Sequence, residues 1–119
     1  MIYVDGFVLP VKTRQLARYR SMARKAGRVW REHGALEFRE CVADDVPFGK
    51  RTSFPRSVKL KRGETVVFSY IVYRSRSDRD RVMAKVMQDK RIDAMMKSKN
   101  MPFDGKRMIV GGFKTMVAA

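Results

Sequence analysis

The 119-residue chain is poor in the residues that chemistry most often recruits. It has one cysteine, Cys41, which excludes an internal disulfide and fits a reducing compartment, so a cytoplasmic location is expected. With His33 as its single histidine, it lacks the ligands for a structural zinc site. Long hydrophobic runs are also missing. The longest uncharged apolar run, TVVFSYIVY (65–73), is far too short to cross a bilayer, and no membrane partner is expected. The opening stretch IYVDGFVL carries Asp5 and has no basic lead-in, so it does not read as a secretory signal. No nucleophile–base–acid set assembles by spacing. Catalytic residues are therefore unknown at this stage, and no metal or cofactor is expected.

Acidic residues are scarce too: 27 Lys and Arg face 12 Asp and Glu, for a net charge of +15. Residues 1–60 hold thirteen cations against six acids and residues 61–119 fourteen against six, so the basicity is no tail. A surface of this kind attracts anions over long range. A basic bias without a dedicated partner is the preferred explanation.

Residues 2–9 read as a strand stopped by Pro10. From Lys12 to His33 the apolar residues Leu16, Tyr19, Met22, Ala23, Ala26, Val29, Trp30 and His33 recur at three- and four-residue steps, one face of a helix of about 33 Å. The opposite face carries Arg14, Arg18, Arg20, Arg24, Lys25, Arg28 and Arg31, and Gly34 ends the helix. Residues 35–43 alternate as a second strand. The turn-rich loop DDVPFGKRTSFPRS follows, and residues 57–60 can extend a strand before Arg62-Gly63. The third strand, 65–73, is β-branched and aromatic throughout. Ser75 or Ser77 can cap a second helix, with an irregularity near Asp89. Pro102 and Asp104-Gly105 turn the chain into a last strand, RMIVGGFKTMV.

Strand–helix–strand twice over predicts one α+β domain, residues 1–119: a ferredoxin-like βαββαβ sandwich with a four-stranded antiparallel sheet. IYVDGF and MIVGGF then run side by side, with glycines where the partner needs room. A phosphate-binding role for Gly111-Gly112 is weak, because no helix follows them.

In the third strand Val67, Ser69 and Ile71 point one way and Val66, Phe68, Tyr70 and Val72 the other. Two helices cover one face only. The other is expected to carry Phe68 and Tyr70, joined by Tyr3 and Phe7 of the first strand, and such a patch marks a binding surface. One cover is a second copy, giving a homodimer with a cleft between facing sheets that can hold a small molecule. The other is RNA, since the RNA-recognition fold has this element order and stacks bases on central-strand aromatics. FSYIVY (68–73) is similar to half of that fold's third-strand motif. Val66, Val67, Asp5 and Gly6 depart from its pattern, and the first helix is too long for it, so this reading is not favoured. A basic helix lying on anionic membrane is weaker still, because its apolar face is needed inside.

Several unusual blocks in order carry a more specific resemblance: YVDGFV (3–8), GAL (34–36), EC (40–41), DVP with the following glycine (45–49), VVFSY (66–70), and MPFDGKRM followed by GGF (101–113). In these the chain resembles, from end to end, the YbaA-like family of small bacterial proteins, which has no established activity. The resemblance implies membership of the dimeric α/β-barrel superfamily, and hence a face-to-face dimer. Some members of that superfamily are cofactor-independent enzymes and others merely bind. Relatives are nearer neutral or acidic, so the cationic helix face is particular to this chain.

The candidate cleft residues are Tyr3, Asp5, Glu40, Phe68, Tyr70 and Arg107. Asp5, desolvated among aromatics, can act as a general base; the preferred reading pairs it with Arg107 or Lys106 across the first and last strands. Glu40, in a row with Leu36, Phe38 and Val42, is either a cavity residue or an edge position reaching solvent. Asp104 reads as the cap of its own turn, His33 as a cap on helix carbonyls, and Cys41 and Trp30 as core. The nucleic-acid alternative rests on Arg14, Arg18, Arg24, Lys25 and Arg28.

Overall fold

The computed structural model describes residues 1–119. Strands β1 (Tyr3–Lys12), β2 (Glu37–Val42), β3 (Glu64–Tyr73) and β4 (Ile109–Lys114) form one antiparallel sheet in the order β2-β3-β1-β4. Helix α1 (Leu16–His33) connects β1 to β2. Helices α3 (Arg76–Met87) and α4 (Lys90–Met96) connect β3 to β4, and a single turn, α2 (Phe54–Ser57), lies in the β2–β3 connection. This is the ferredoxin-like βαββαβ order. No helix is long and apolar enough to cross a membrane.

Local chemistry sets most boundaries. Gly34 closes α1 at φ 122°, a left-handed-region value that glycine reaches without strain. The Ser75 hydroxyl accepts from the Asp78 N–H to start α3. Asp89 breaks the second helical segment and caps α4 by accepting from the Arg91 N–H, which is the irregularity expected there. β1 does not stop at Pro10 but runs through it to Lys12. Thr13 N–H donates to the Gly63 carbonyl of the β3 side at 2.9 Å, so the alternating pattern turns the Pro10 nitrogen toward β4. β4 pairs with β1 only as far as Val8, and no hydrogen bond is lost at Pro10. Residues 57–60 form no strand: Pro55 favours the first turn of a helix, and Ser53 caps it.

The register decides which side chains share a face. Tyr3 lies opposite Tyr73, Asp5 opposite Ile71, Gly6 opposite Tyr70 and Val8 opposite Phe68. Tyr3, Ile71 and Tyr73 therefore pack with Val29, Val82, Val86 and Ile92 of the helices. Leu9, Val11 and Val67 pack with Tyr19 and Ala23 of α1. The opposite, open face carries Val4, Gly6 and Val8 of β1, Phe68, Tyr70 and Val72 of β3, and Ile109, Gly111 and Phe113 of β4. One end of it is closed: Pro10 and Val66, paired in register, are buried, as are Pro55 and Val58 of the β2–β3 connection. The Phe54 ring meets Phe68 edge-on at 6.0 Å. Elsewhere the open face is uncovered, with Phe68 42%, Ile109 44% and Phe113 64% exposed.

Candidate functional site

Helix α1 lies over the edge strand β2 without closing on it, leaving a cleft of about 650 Å³. Its floor is apolar: Leu16, Tyr19 and Ala23 of α1, Phe38 and Val42 of β2, and Val67 of β3. Gly27 sets how near helix and strand come, because a Cβ at that position would lie 2.8 Å from the Phe38 ring. Arg20, Arg24, Arg28 and Arg31 rise from α1 along one wall. Of these, Arg31 donates to the Leu36 carbonyl. Arg20, Arg24 and Arg28 form no ion pair at all.

Two acids line the cleft: Glu32, bonded by Arg91 at 2.6 Å, and Glu40, which has no cationic partner. Glu40 is exposed as a residue because β2 is an edge strand, yet its Oε1 accepts from the hydroxyl of buried Tyr19 at 2.7 Å. Loss of water on the α1 side raises the Glu40 pKa more than the Tyr19 and Ser69 hydroxyls lower it, and burial beside Glu40 also pushes the Tyr19 hydroxyl up. Tyr19 is held from behind by Phe103, whose ring meets it edge-on at 5.8 Å. Arg18 donates to the Asn100 carbonyl at 2.7 Å, tying the same segment to α1. The block MPFDGKRM thus props a cleft residue without entering the cleft. Chemically, the arrangement can attract an anion, bury an apolar body and accept one proton or hydrogen bond at Glu40.

The structure separates the six residues that the sequence grouped. Tyr3 and Asp5 lie under the helices and Phe68 and Tyr70 on the open face, so they do not line a common surface. The physical reason is the β1–β3 register, which puts Gly6 and Val8 beside the aromatics of β3. Phe7, too, lies against the helix-covered core. Asp5 is 5% exposed and its cation is Arg79 of α3, with Nε 3.6 Å from Oδ1, not Arg107 or Lys106. Desolvation raises the Asp5 pKa, with Arg79 opposing it. Arg79 also donates to the Tyr3 hydroxyl at 3.2 Å, and Trp30 Nε1 donates to the Tyr73 hydroxyl at 3.2 Å. This buried network sits against the sheet, away from the cleft.

Arg107 precedes β4 in a short 3-10 turn (Gly105–Arg107) and clamps Glu64 with two bonds of 2.8 and 2.6 Å. It also binds Asp104 and the carbonyls of Val58 and Lys59. Asp104 does cap its own turn, accepting from the Lys106 N–H. His33 bonds Asp89 at 2.8 Å and caps no carbonyl. Cys41 is exposed on the edge strand, not core, and Trp30 is half-buried against the core.

The cations of the nucleic-acid alternative are dispersed. Arg24 and Arg28 line the cleft, Lys25 borders a smaller hollow against α4, and Arg18 is tied to residue 100. Tyr19, Arg20 and Arg31 complete the cleft; Tyr19 sits on the apolar stripe at ordinary core spacing, and nothing in the sequence sets it apart. No three His, Cys, Asp or Glu side chains converge as they would around a metal ion.

A sheet of this order with both helical segments on one face defines a ferredoxin-like α+β protein. The chain belongs to the family described as "Protein of unknown function (DUF1428)", whose profile matches residues 2–105. It is 49% identical over 117 residues to the uncharacterized protein YbaA of Escherichia coli K12, covering 98% of each chain, and equally to YbaA of Shigella flexneri. The fold is shared with a putative antibiotic biosynthesis monooxygenase from Nitrosomonas europaea (TM-score 0.60, 16% identity, 97% of this chain and 90% of that one). SnoaB, a cofactor-independent oxygenase from Streptomyces nogalater, also shares it (TM-score 0.59, 11% identity, 98% and 95%). So does a dimeric ferredoxin-like protein from an uncultured marine organism (TM-score 0.59, 10% identity, all of both chains).

Proposed function

We propose that this protein binds a small molecule in the cleft between α1 and β2, and that it acts as a homodimer joined through its open sheet faces. The observation that carries the first part is an apolar cleft of about 650 Å³ containing a hydrogen-bonded acid under a wall of arginines without acidic partners. That volume lies within the range of ordinary ligand sites, roughly 300–1,000 Å³. Glu40 is the group in the cleft placed to take a proton from a bound molecule, which is the form a cofactor-free activity would take here. The dimer is supported by the exposed apolar side chains of the open face, and a protein described as dimeric has the same fold.

A fragment library followed by backbone NMR tests the site. Hits are expected to move the signals of Phe38, Glu40 and Gly27 and to leave those of the open face in place. Hits that move only residues of the open face would overturn the placement. The nucleic-acid reading predicts something else: an oligonucleotide bound with steep salt dependence and released by Arg18→Glu, which lies outside the cleft. That result would replace the small molecule as the partner.

A further inference from the structure

The polar groups of the cleft are asymmetric, and their arrangement narrows the ligand. At one end Glu40 accepts from Tyr19 through Oε1. Along the wall, Arg24 and Arg28 follow Tyr19 by five and nine residues of helix, about 7 and about 13 Å along the axis. Between them lies apolar surface from Ala23, Phe38 and Val67. Arg20, next to Tyr19, begins the row of cations at the Glu40 end, and Arg24 and Arg28 carry it onward past the apolar stretch; an acceptor, a ring-sized apolar surface and unpaired cations beyond it match a particular shape of molecule. From this geometry, and resting on the cleft reading above, we infer that the ligand is a small aromatic acid with a hydroxyl: its anionic group on Arg24 and Arg28, its ring against Phe38, and its hydroxyl donating to Glu40.

The charge arrangement agrees with this. Glu40 would repel an anion placed beside it, whereas Arg24 and Arg28 offer unpaired cations farther along the wall; Glu32, which also lines that part, is already bonded by Arg91 at 2.6 Å. A hydrogen-bond donor at the near end meets a carboxylate whose water has been partly withdrawn. Cations are excluded from the wall and neutral aromatics gain nothing there. A site that offers a charged acceptor to a hydroxyl discriminates against the analogue lacking it, because the acceptor is then left unpaired.

Four probes separate the elements: 4-hydroxyphenylacetate, phenylacetate, 4-hydroxyphenethyl alcohol and tyramine, titrated into the full chain with NMR readout at Phe38 and Glu40. The hydroxylated acid is expected to bind about ten- to a hundred-fold more tightly than phenylacetate, the range for a hydrogen bond to a charged group. Glu40→Gln should reduce that preference to about threefold or less while the protein keeps its spectrum. Arg24→Ala with Arg28→Ala should weaken both acids about tenfold and leave the alcohol unchanged. Equal binding of the alcohol or tyramine in the cleft would overturn the anion assignment and leave the cleft reading standing. Equal binding of phenylacetate would overturn the role of Glu40. Should none of the four probes disturb the cleft while unrelated fragments do, the aromatic-acid class is wrong; if no fragment does either, the cleft itself is not the site.

Discussion

Two adjacent glycines show how little a residue type says without its neighbours. Gly111 and Gly112 lie side by side in β4, opposite Gly6 and Asp5. A Cβ at Gly112 would run into the Tyr3 hydroxyl and lie 2.8 Å from Arg79 Nη2, inside the network that neutralises Asp5. A Cβ at Gly111 would meet only the Phe113 ring, at 3.4 Å, and that side chain is exposed and free to give way. Gly112→Ala is therefore expected to destabilise the protein by about 1–3 kcal/mol in urea unfolding. Gly111→Ala should fall within about 0.5 kcal/mol of the parent, since losing a strand glycine offsets a mild contact. Comparable losses at both positions would mean that the tight point is the strand pairing itself and not the Tyr3–Arg79 network. The role of these glycines as spacers was legible in the sequence. The identity of what they make room for was not, because Arg79 comes from a helix with no sequence relation to β4.

At the scale of elements, order was legible and parity was not. The two periods, 3.6 and 2, marked α1 and β3 correctly; Ser75 was one of two candidate caps for α3, and the residues near Asp89 were readable as an irregularity but not as the start of α4. Alternation divides each strand into two sets of side chains, but nothing in β1 says which of its sets joins which set of β3. A pairing shifted by one residue would have placed Tyr3 and Asp5 beside Phe68 and Tyr70; the observed one places them under the helices. Glu40 illustrates the same gap. It was readable as either a cavity or an edge residue, and the position of α1 above an edge strand makes it both. Motif MPFDGKRM was readable as a block but not as a clamp, since its arginine reaches an acid 43 residues away. The Glu64 side chain is 5% exposed and its pKa lies below the ordinary 4.5, held down first by the Arg107 bonds. A carboxyl depressed in the folded state adds stability above its unfolded pKa. As pH falls from about 4.5 through the lower folded value, the unfolded chain takes up the proton first and that stability is lost. Glu64→Gln is expected to cost about 2 kcal/mol at pH 7, between the values for exposed and buried pairs, and to flatten the fall in stability below pH 4.5. Chemical denaturation at several pH values measures both, and an unchanged acid slope would show that Asp104 or Asp89 carries it instead.

The whole molecule is flatter and more exposed than its length requires. Its extents are 38 × 38 × 20 Å and its radius of gyration is 14.9 Å, whereas a compact chain of this length has about 13.5 Å. The accessible surface is 8523 Å², against about 6,600 Å² for a monomer of 13.8 kDa, and only 21 residues are buried. That excess is more than the roughly 800 Å² that one partner contributes to a standard interface. Part of it belongs to the α1–β2 cleft and the C-terminal residues beyond β4, and part to the open face, where Phe68, Ile109 and Phe113 are exposed. There Val4, Val8, Phe68, Val72 and Phe113 form a centre, bordered on β2 by the Glu37–Arg39 ion pair. An apolar centre with a polar rim is the anatomy of a protein interface. A two-fold axis through this face would bring the same strands together in both copies. Sedimentation at low micromolar concentration is therefore expected to give a particle of about twice 13.8 kDa. Phe68→Asp with Phe113→Asp places two charges in the buried centre and should give the monomer, because a desolvated unpaired carboxylate costs more than such an interface gains. Ligand binding at the α1–β2 cleft should survive in that variant, since Glu40, Phe38, Val67 and the arginines of α1 lie on the other side of the sheet. A parent protein that sediments as a monomer would remove the dimer and leave the cleft intact; a monomeric variant that also loses the ligand would show that the two surfaces are coupled through β3, the strand whose Val67 and Phe68 point into one and the other.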